Sequence, residues 1–162
     1  MGIAVFSLFL VTALFAVGAV FGAPYLPTLK KEGEVALDLL NLKKGQTILD
    51  LGSGDGSFLL QAAKRDISGI GWEINPLLVV FSKLRLWRYR KTVHIHWRNI
   101  WQSKLPKTNA IYIFGISRYM SKFAIKLKSE IATPTKVVCF TFKIPGKNPV
   151  QSKRGVYLYE YK

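Results

Sequence analysis

Hydrophobic and polar positions follow two different periods along the chain, which predict strands and helices in alternation. Short runs rich in β-branched and aromatic residues predict strands at residues 46–51, 69–72, 92–97, 109–114, 135–142 and 155–161. Apolar residues at helical spacing predict helices at residues 29–41, 57–65, 76–90 and 118–131. This alternation is typical of a parallel, doubly wound α/β sheet. Residues 143–154, rich in proline, glycine and basic residues, are predicted as a long loop.

The first part of the chain has a different pattern, because residues 3–23 are almost wholly apolar and contain no charge. About twenty such residues in a helix span the hydrocarbon core of a bilayer. A cleaved signal peptide is the alternative, but no positive residue precedes the apolar run. Lys30 and Lys31 follow it, which favours a cytoplasmic location for what comes after. We therefore expect a membrane protein with a single-pass anchor at residues 1–23 and a cytoplasmic domain at residues 24–162.

The net charge of the chain indicates which kind of partner it attracts. The chain has 24 Lys and Arg against 9 Asp and Glu, a net charge of +15, and the first basic residue is Lys30. Such a domain is attracted to a polyanion, either an anionic lipid surface or nucleic acid. The densest basic run is residues 83–91, for which a solvated helix face is the alternative. The neighbouring apolar segment favours lipid over nucleic acid. The single cysteine, Cys139, is predicted to be a core residue.

Candidate chemistry is concentrated after the first predicted strand, where residues 50–56 read DLGSGDG. Open α/β sheets bind ligands at the carboxyl ends of their strands. Glycines there allow positive φ and close approach of the backbone to a ligand, and the helix beginning near Ser57 offers free N–H groups. Glu73, at the end of the second strand, is suited to accept hydrogen bonds from two ribose hydroxyls. The spacing predicts a site for a nucleotide-like cofactor.

Other interpretations of these residues remain open. A nicotinamide or flavin site requires G-x-G-x-x-G, whereas the glycines here are Gly52, Gly54 and Gly56. The D-x-G-x-G-x-G pattern is the one that class I methyltransferases carry. A plain strand–helix turn is the alternative for the glycines, and an exposed strand-end carboxylate is the alternative for Glu73. His94 and His96 share one strand face, but a metal site needs further ligands, so no metal is expected.

Several short segments are more specific than the loop. They are residues 24–28, 71–76, 78–79, 85–88 and 113–116, then Met120, Cys139, Phe140 and Pro145. On these segments and the loop, residues 24–161 resemble small membrane-anchored protein-lysine methyltransferases that modify the ATP synthase c-subunit and the adenine nucleotide translocase. The resemblance implies a compact Rossmann-like class I methyltransferase sheet, mostly parallel and abbreviated at its C-terminal end.

The resemblance also implies the cofactor, S-adenosylmethionine, and the reaction, N-methylation of a lysine in a membrane-associated protein. The predicted cofactor-binding residues are Thr28, Asp50, Gly52, Ser53, Gly54, Asp55, Glu73, Asn75, Asn99 and Ile100. Asn99 stands where the family usually has aspartate, and its amide can still accept from the adenine amino group.

The acceptor lysine must be neutral to react, and an apolar, aromatic-lined channel lowers its pKa. Candidate channel residues are Tyr25, Trp101, Phe114 and Tyr119, with the backbone carbonyls of Phe114, Gly115 and Ile116 orienting the amine. Ordinary packing is the alternative for Trp101 and Tyr119.

Two other functions compete with lysine methylation. A basic RNA or small-molecule methyltransferase of the same fold fits the net charge. Base-amine methyltransferases often carry an Asn-Pro-Pro-aromatic turn after the fourth strand, and residues 114–117 read FGIS instead. The third hypothesis is a membrane scaffold with a degenerate cofactor fold, against which the intact loop argues.

Overall fold

The computed structural model of the chain describes residues 30–115 and 117–161. Its helices are α1 (Lys30–Leu40), α2 (Ser57–Ala63), α3 (Pro76–Arg85) and α4 (Ser117–Glu130), and a 3-10 turn covers Trp87–Tyr89. Its strands are β1 (Thr47–Leu51), β2 (Ser68–Glu73), β3 (Val93–Trp97), β4 (Ala110–Phe114), β5 (Thr135–Phe140), β6 (Gln151–Lys153) and β7 (Val156–Tyr161).

All seven strands form one sheet in the order β3-β2-β1-β4-β5-β7-β6. Strands β1 to β5 pair with one another in parallel, while β7 lies antiparallel to both β5 and β6. The prediction of a mostly parallel α/β sheet is confirmed. The strand order reverses between β1 and β4, so their carboxyl ends form the crevice in which open sheets bind ligands.

The sheet is covered on both faces, which explains why its inner strands are apolar on both sides. On one face, α1, α2 and α3 pack on residues such as Ile48, Tyr112 and Val138. On the other face, α4 packs on Leu49, Ile113 and the neighbouring strands. Cys139 is buried in this second core, as predicted.

Two element predictions need correction. Residues 143–154 are not wholly a loop, because residues 151–153 form the edge strand β6. All three of its side chains are exposed, so it has no buried position to produce an alternating pattern. The helix predicted at residues 76–90 ends at Arg85, because Leu86 leaves helical geometry (φ −93°, ψ 10°) while its side chain enters the core.

The predicted anchor, residues 1–23, lies outside the described residues, as do Tyr25, Thr28 and Ile116. Within residues 30–115 and 117–161, no helix has both the length and the apolar character needed to cross a membrane.

Candidate active site

The loop at residues 50–56 is fixed to the end of the neighbouring strand. The backbone N–H groups of Gly52 and Ser53 both donate to the carbonyl oxygen of Trp72, each at 2.9 Å. The N–H of Gly56 donates to the carbonyl of Ser53 at 2.9 Å and closes the turn before α2. The loop therefore lies at the carboxyl ends of β1 and β2, where the sequence predicts it.

The glycines of the loop have the backbone conformation expected of them. Gly52, Gly54 and Gly56 have φ values of 86°, 53° and 76°. A Cβ added at Gly52 would have no atom within 4 Å, so the backbone faces open space there. At Gly71 a Cβ would lie 2.5 Å from Ile95 Cδ1 and 2.7 Å from Ser53 Oγ. Glycine at residue 71 thus lets the loop pack directly on β2.

The carboxylate of Glu73 joins the two strand ends. Its Oε2 accepts from the N–H of Gly54 at 2.8 Å, and its Oε1 accepts from the N–H groups of Ile74 at 2.9 Å and Asn75 at 2.8 Å. Glu73 is buried, so the alternative of an exposed strand-end carboxylate is wrong. Three backbone donors compensate for the burial of its charge.

Asp55 connects the loop to helices α2 and α3. Its Oδ1 accepts from the N–H of Ser57 at 3.0 Å, at the start of α2, and its Oδ2 pairs with Arg85 Nη1 at 2.7 Å, at the end of α3. The predicted free N–H groups of α2 are therefore partly engaged, since Asp55 already takes that of Ser57. The ion pair connects α3 to the loop.

Asp50 is a buried carboxyl close to two others. Burial raises the pKa of Asp50 well above its ordinary value of 3.8, and the nearby charges of Glu73 and Asp55 raise it further. Ser53 Oγ, also buried, has no hydrogen-bond partner among the described residues. The loop region thus holds three neighbouring carboxyl groups and an available hydroxyl.

Asn75 and Asn99 both bond to their own backbone segments. The Oδ1 of Asn75 accepts from the N–H of Leu77 at 3.0 Å and caps α3. The Oδ1 of Asn99 accepts from the N–H of Trp101 at 2.9 Å. Asn99 and Ile100 are half-buried at the carboxyl end of β3, the side on which the adenine contact is predicted.

The segment after β3 is fixed to α4 by a contact that the sequence analysis missed. Lys126 Nζ, buried, donates to the carbonyl of Ser103 and to Glu130 Oε1, both at 2.7 Å, while Glu130 Oε2 accepts from the N–H of Leu105 at 2.8 Å. Burial favours a higher pKa of Glu130, but these bonds hold the pKa below its ordinary value. The spacing of Lys126 and Glu130 signals a helical ion pair, but not its backbone partners.

The predicted channel residues are only partly brought together. The ring centroids of Trp101 and Tyr119 lie 5.5 Å apart in the second core, and Phe123 lies 4.7 Å from Trp101. Phe114 packs instead against Phe140 at 4.8 Å, in the first core.

Gly115 and two cations of α4, Arg118 and Lys122, are the remaining features near the carboxyl ends of β3 and β4. A Cβ at Gly115 would lie 2.8 Å from Met120 Sδ, so a larger residue there would require the Met120 side chain to move. Lys122 Nζ lies 4.4 Å from the centroid of Trp101, and Arg118 Cζ lies 4.7 Å from that of Tyr119. Trp101 and Tyr119 thus each have a cation beside the ring.

His94 and His96 are exposed, as side chains of an edge strand. Partial desolvation of its ring lowers the pKa of His96, and the nearby charges of Arg98, His94 and Lys83 add to the effect. No group of three or more histidine, cysteine or acidic side chains suited to a metal occurs in the described part of the chain.

The chain is similar to known proteins both in sequence and in fold. The sequence model of the family described as ANTKMT methyltransferase domain matches residues 50–151. The ATP synthase c-subunit lysine N-methyltransferase of Xenopus laevis is 32% identical over 149 residues, 85% of this chain and 65% of that protein. A protein-lysine N-methyltransferase of Saccharolobus islandicus (strain REY15A) is 27% identical over 149 residues, 84% of this chain and 92% of that protein.

Among solved structures, an RNA methyltransferase from Salinibacter ruber in complex with S-adenosyl-L-homocysteine has a TM-score of 0.77 and 21% identity. The match covers 84% of this chain and 92% of that one, and it shows the class I Rossmann-like methyltransferase fold. The chain spans less than two thirds of the length of the Xenopus relative. The match to residues 50–151 and the Xenopus relative confirm the predicted resemblance: the chain belongs to the ANTKMT methyltransferase domain family.

Proposed function

We propose that this chain is an S-adenosylmethionine-dependent methyltransferase that modifies a lysine side chain of a membrane-associated protein. The observation that carries the proposal is the buried carboxylate of Glu73, bonded to the N–H of Gly54 at the carboxyl ends of β1 and β2. Family membership supports methyl transfer, and the names of the Xenopus and Saccharolobus relatives support lysine as the acceptor.

The residues of the loop fit a cofactor that carries both a ribose and positive charge. The space beside Gly52 has room for a ligand, and Ser53 Oγ is an available polar atom. Glu73 would hold the ribose hydroxyls and Asp50 the ammonium group, because a cation there stabilises the ionised form of a carboxyl whose pKa burial has raised. Asn99 and Ile100 would contact the adenine.

When bound, S-adenosylmethionine supplies an electrophilic methyl group on its sulfonium. The chain then has to position a neutral amine, which accounts for much of the catalysis. Arg118 and Lys122, beside Tyr119 and Trp101, lower the pKa of an incoming lysine because like charges disfavour its ammonium form. The carbonyls of residues 114–116 orient the amine. We assign no general base.

The membrane location is a further part of the proposal. A single-pass helix at residues 1–23, with the catalytic domain on the cytoplasmic side, would hold the enzyme beside its acceptor. The apolar sequence of residues 3–23 and the basic residues that follow it support this arrangement.

A basic RNA methyltransferase is the second candidate, favoured by the net charge of +15. Both candidates are tested by incubating the full chain with methyl-labelled S-adenosylmethionine, host membranes and host RNA. Lysine methylation predicts a labelled membrane protein band that disappears when the acceptor lysine is replaced by arginine. Label in RNA alone would overturn the lysine assignment and favour the second candidate.

A further inference from the structure

Helix α3 is apolar on both its inner and its outer side. Its inner side, with Val79 and Ser82, is buried against the sheet. Its outer side carries Leu77, Val80, Phe81 and Leu84 at positions i, i+3, i+4 and i+7. These four side chains, which we call the outer stripe, are 38%, 57%, 52% and 67% exposed. The solvent side of a helix ordinarily carries polar and charged residues, so an exposed apolar stripe of this kind needs an explanation.

Two exposed tryptophans lie at the ends of the stripe. Trp87, in the 3-10 turn that follows α3, is 62% exposed. Trp97, at the end of β3, is 68% exposed, and its Nε1 donates to the carbonyl of Ile74 at 2.8 Å, just before α3 begins. Tryptophan is enriched where an apolar phase meets water. An exposed apolar patch of this extent marks an interaction surface.

The surroundings of the outer stripe are uniformly basic. Lys83, Arg88, Arg90 and Lys91 are exposed on α3 and the turn after it, and every charged residue between Glu73 and Glu130 is a lysine or arginine. Arg90 lies with its Cζ 4.7 Å from the ring centroid of Trp87. Within residues 30–115 and 117–161, none of these four cations forms an ion pair with an acid, so their charge is available to a partner.

We propose that the outer stripe is a docking surface for an anionic lipid bilayer. Aliphatic side chains beside tryptophan and flanked by cations are the combination that lies in the plane of a membrane interface. Three of the four side chains of the outer stripe, Leu77, Val80 and Leu84, are aliphatic, and aliphatic area suits acyl chains. Single-stranded nucleic acid stacks its bases on rings, and within the stripe Phe81 alone has one, so lipid is favoured as the partner. The basic side chains bind lipid phosphates while the stripe enters the boundary between headgroups and acyl chains.

Docking on this surface also orients the candidate active site. Helix α3 begins directly after Asn75, whose backbone N–H donates to Glu73, and ends at Arg85, whose guanidinium pairs with Asp55. One end of the docked helix is therefore bonded to Glu73, which accepts from the N–H of Gly54 in the loop, and the other end is bonded to Asp55 of the loop. The proposal does not depend on the chemistry of the site, because it concerns lipid contact alone.

The test is a fluorescent probe on the full chain, reconstituted into vesicles. A thiol-reactive environment-sensitive dye is attached to Leu84→Cys, in the outer stripe, or to Ile125→Cys on α4, an apolar position that is 71% exposed and serves as the matched control. The native Cys139 is buried, and burial raises the pKa of its thiol, so the dye does not label it. Vesicles are either pure phosphatidylcholine or contain about one third phosphatidylglycerol, and both carry doxyl-labelled lipid as quencher.

We expect several-fold stronger quenching at Leu84 than at Ile125 in the anionic vesicles. The difference should shrink in neutral vesicles, at high salt, and when Lys83→Gln and Arg88→Gln are added. Equal quenching at the two positions would overturn the proposal. The predicted anchor does not affect this comparison, because both labelled chains carry it.

Three other results would also overturn it, and each assigns a different occupant. Protection of Leu84 from both lipid and aqueous quencher at every protein concentration would mean that residues 1–29 cover the stripe. Protection that grows with protein concentration would indicate a second copy of the chain. A response at Leu84 to added RNA on neutral vesicles, with none to phosphatidylglycerol, would assign a nucleic acid.

Discussion

The backbone N–H of Gly54 donates to Oε2 of Glu73 at 2.8 Å, which joins the loop after β1 to the turn after β2. The same carboxylate accepts from two N–H groups of its own turn. One buried acid thereby fixes the relative positions of two strand ends that both face the proposed cofactor. Replacement of Glu73 should therefore weaken cofactor binding.

Glu73→Gln retains the shape of the side chain but places an amide N–H₂ where one of the two oxygens accepts. Either the N–H of Gly54 or the N–H groups of Ile74 and Asn75 then face another donor. Hydrogen bonds to charged groups contribute about 1.5–3 kcal/mol, so S-adenosylmethionine affinity should fall by about tenfold or more. Calorimetric titration measures the change. Glu34→Gln, an exposed acid on α1, is the control, and equal affinities for the two variants would contradict the assignment of Glu73.

Gly52→Ala and Gly45→Ala form a matched pair. Both glycines have positive φ, 86° and 79°, and an added Cβ meets no atom within 4 Å at either position. Each variant should lose a similar free energy of unfolding, about 1–2 kcal/mol, from backbone strain. Only Gly52→Ala should also lose cofactor binding, because its Cβ enters the space beside the loop.

A thermal-shift series with S-adenosylmethionine separates the two effects for this pair. We expect the cofactor to raise the Tm of Gly45→Ala as it raises that of the unchanged chain, and to leave the Tm of Gly52→Ala unmoved. A normal shift with Gly52→Ala would mean that the open space at this glycine is not the cofactor space.

Asp55 should act through structure, because both of its oxygens are engaged within the chain. Asp55→Asn keeps an oxygen for the N–H of Ser57 and loses the charge, whereas Asp55→Ala loses both contacts. The alanine variant also loses the hydrogen bond from the N–H of Ser57, which contributes about 1 kcal/mol, so it should be the less stable of the two. Urea denaturation of these variants, each with and without Arg85→Met, measures the coupling of Asp55 to Arg85. Additive effects would show that the ion pair contributes nothing to stability.

Asp50 should make stability fall as pH rises. The pKa of a buried acid is raised in the folded state, so its contribution is fully present below the ordinary value of 3.8 and is lost as pH rises toward the folded pKa. Asp50→Asn removes this cost. We expect the variant without ligand to unfold at a higher urea concentration than the unchanged chain at pH 7, with the difference vanishing in acid. An identical pH profile for both chains would contradict the shifted pKa.

Much of the sheet could be predicted from sequence because parallel strands covered on both faces read as apolar runs, as at residues 110–113. The loop could be predicted because the positive φ of its backbone at residues 52, 54 and 56 favours glycine. The edge strand β6 buries nothing and pairs through its backbone alone, so its side chains give no signal.

Contacts between distant segments could not be predicted. The pairing of Arg85 with Asp55 and the bond from Lys126 to the carbonyl of Ser103 depend on where the fold brings each side chain. Periodicity also indicates which positions of α3 share a side, but it does not distinguish a covered apolar side from an exposed one. The outer stripe therefore became evident only from the structure.

Methylation of a membrane-protein lysine by this chain can be measured directly by mass spectrometry of host membranes. Lysine methylation is compared in cells that have the chain, cells that lack it, and cells that carry Glu73→Gln in its place. We expect a methylated lysine on a membrane protein in the first sample that is absent from the second and strongly reduced in the third. Identical lysine methylation in all three samples would contradict this expectation.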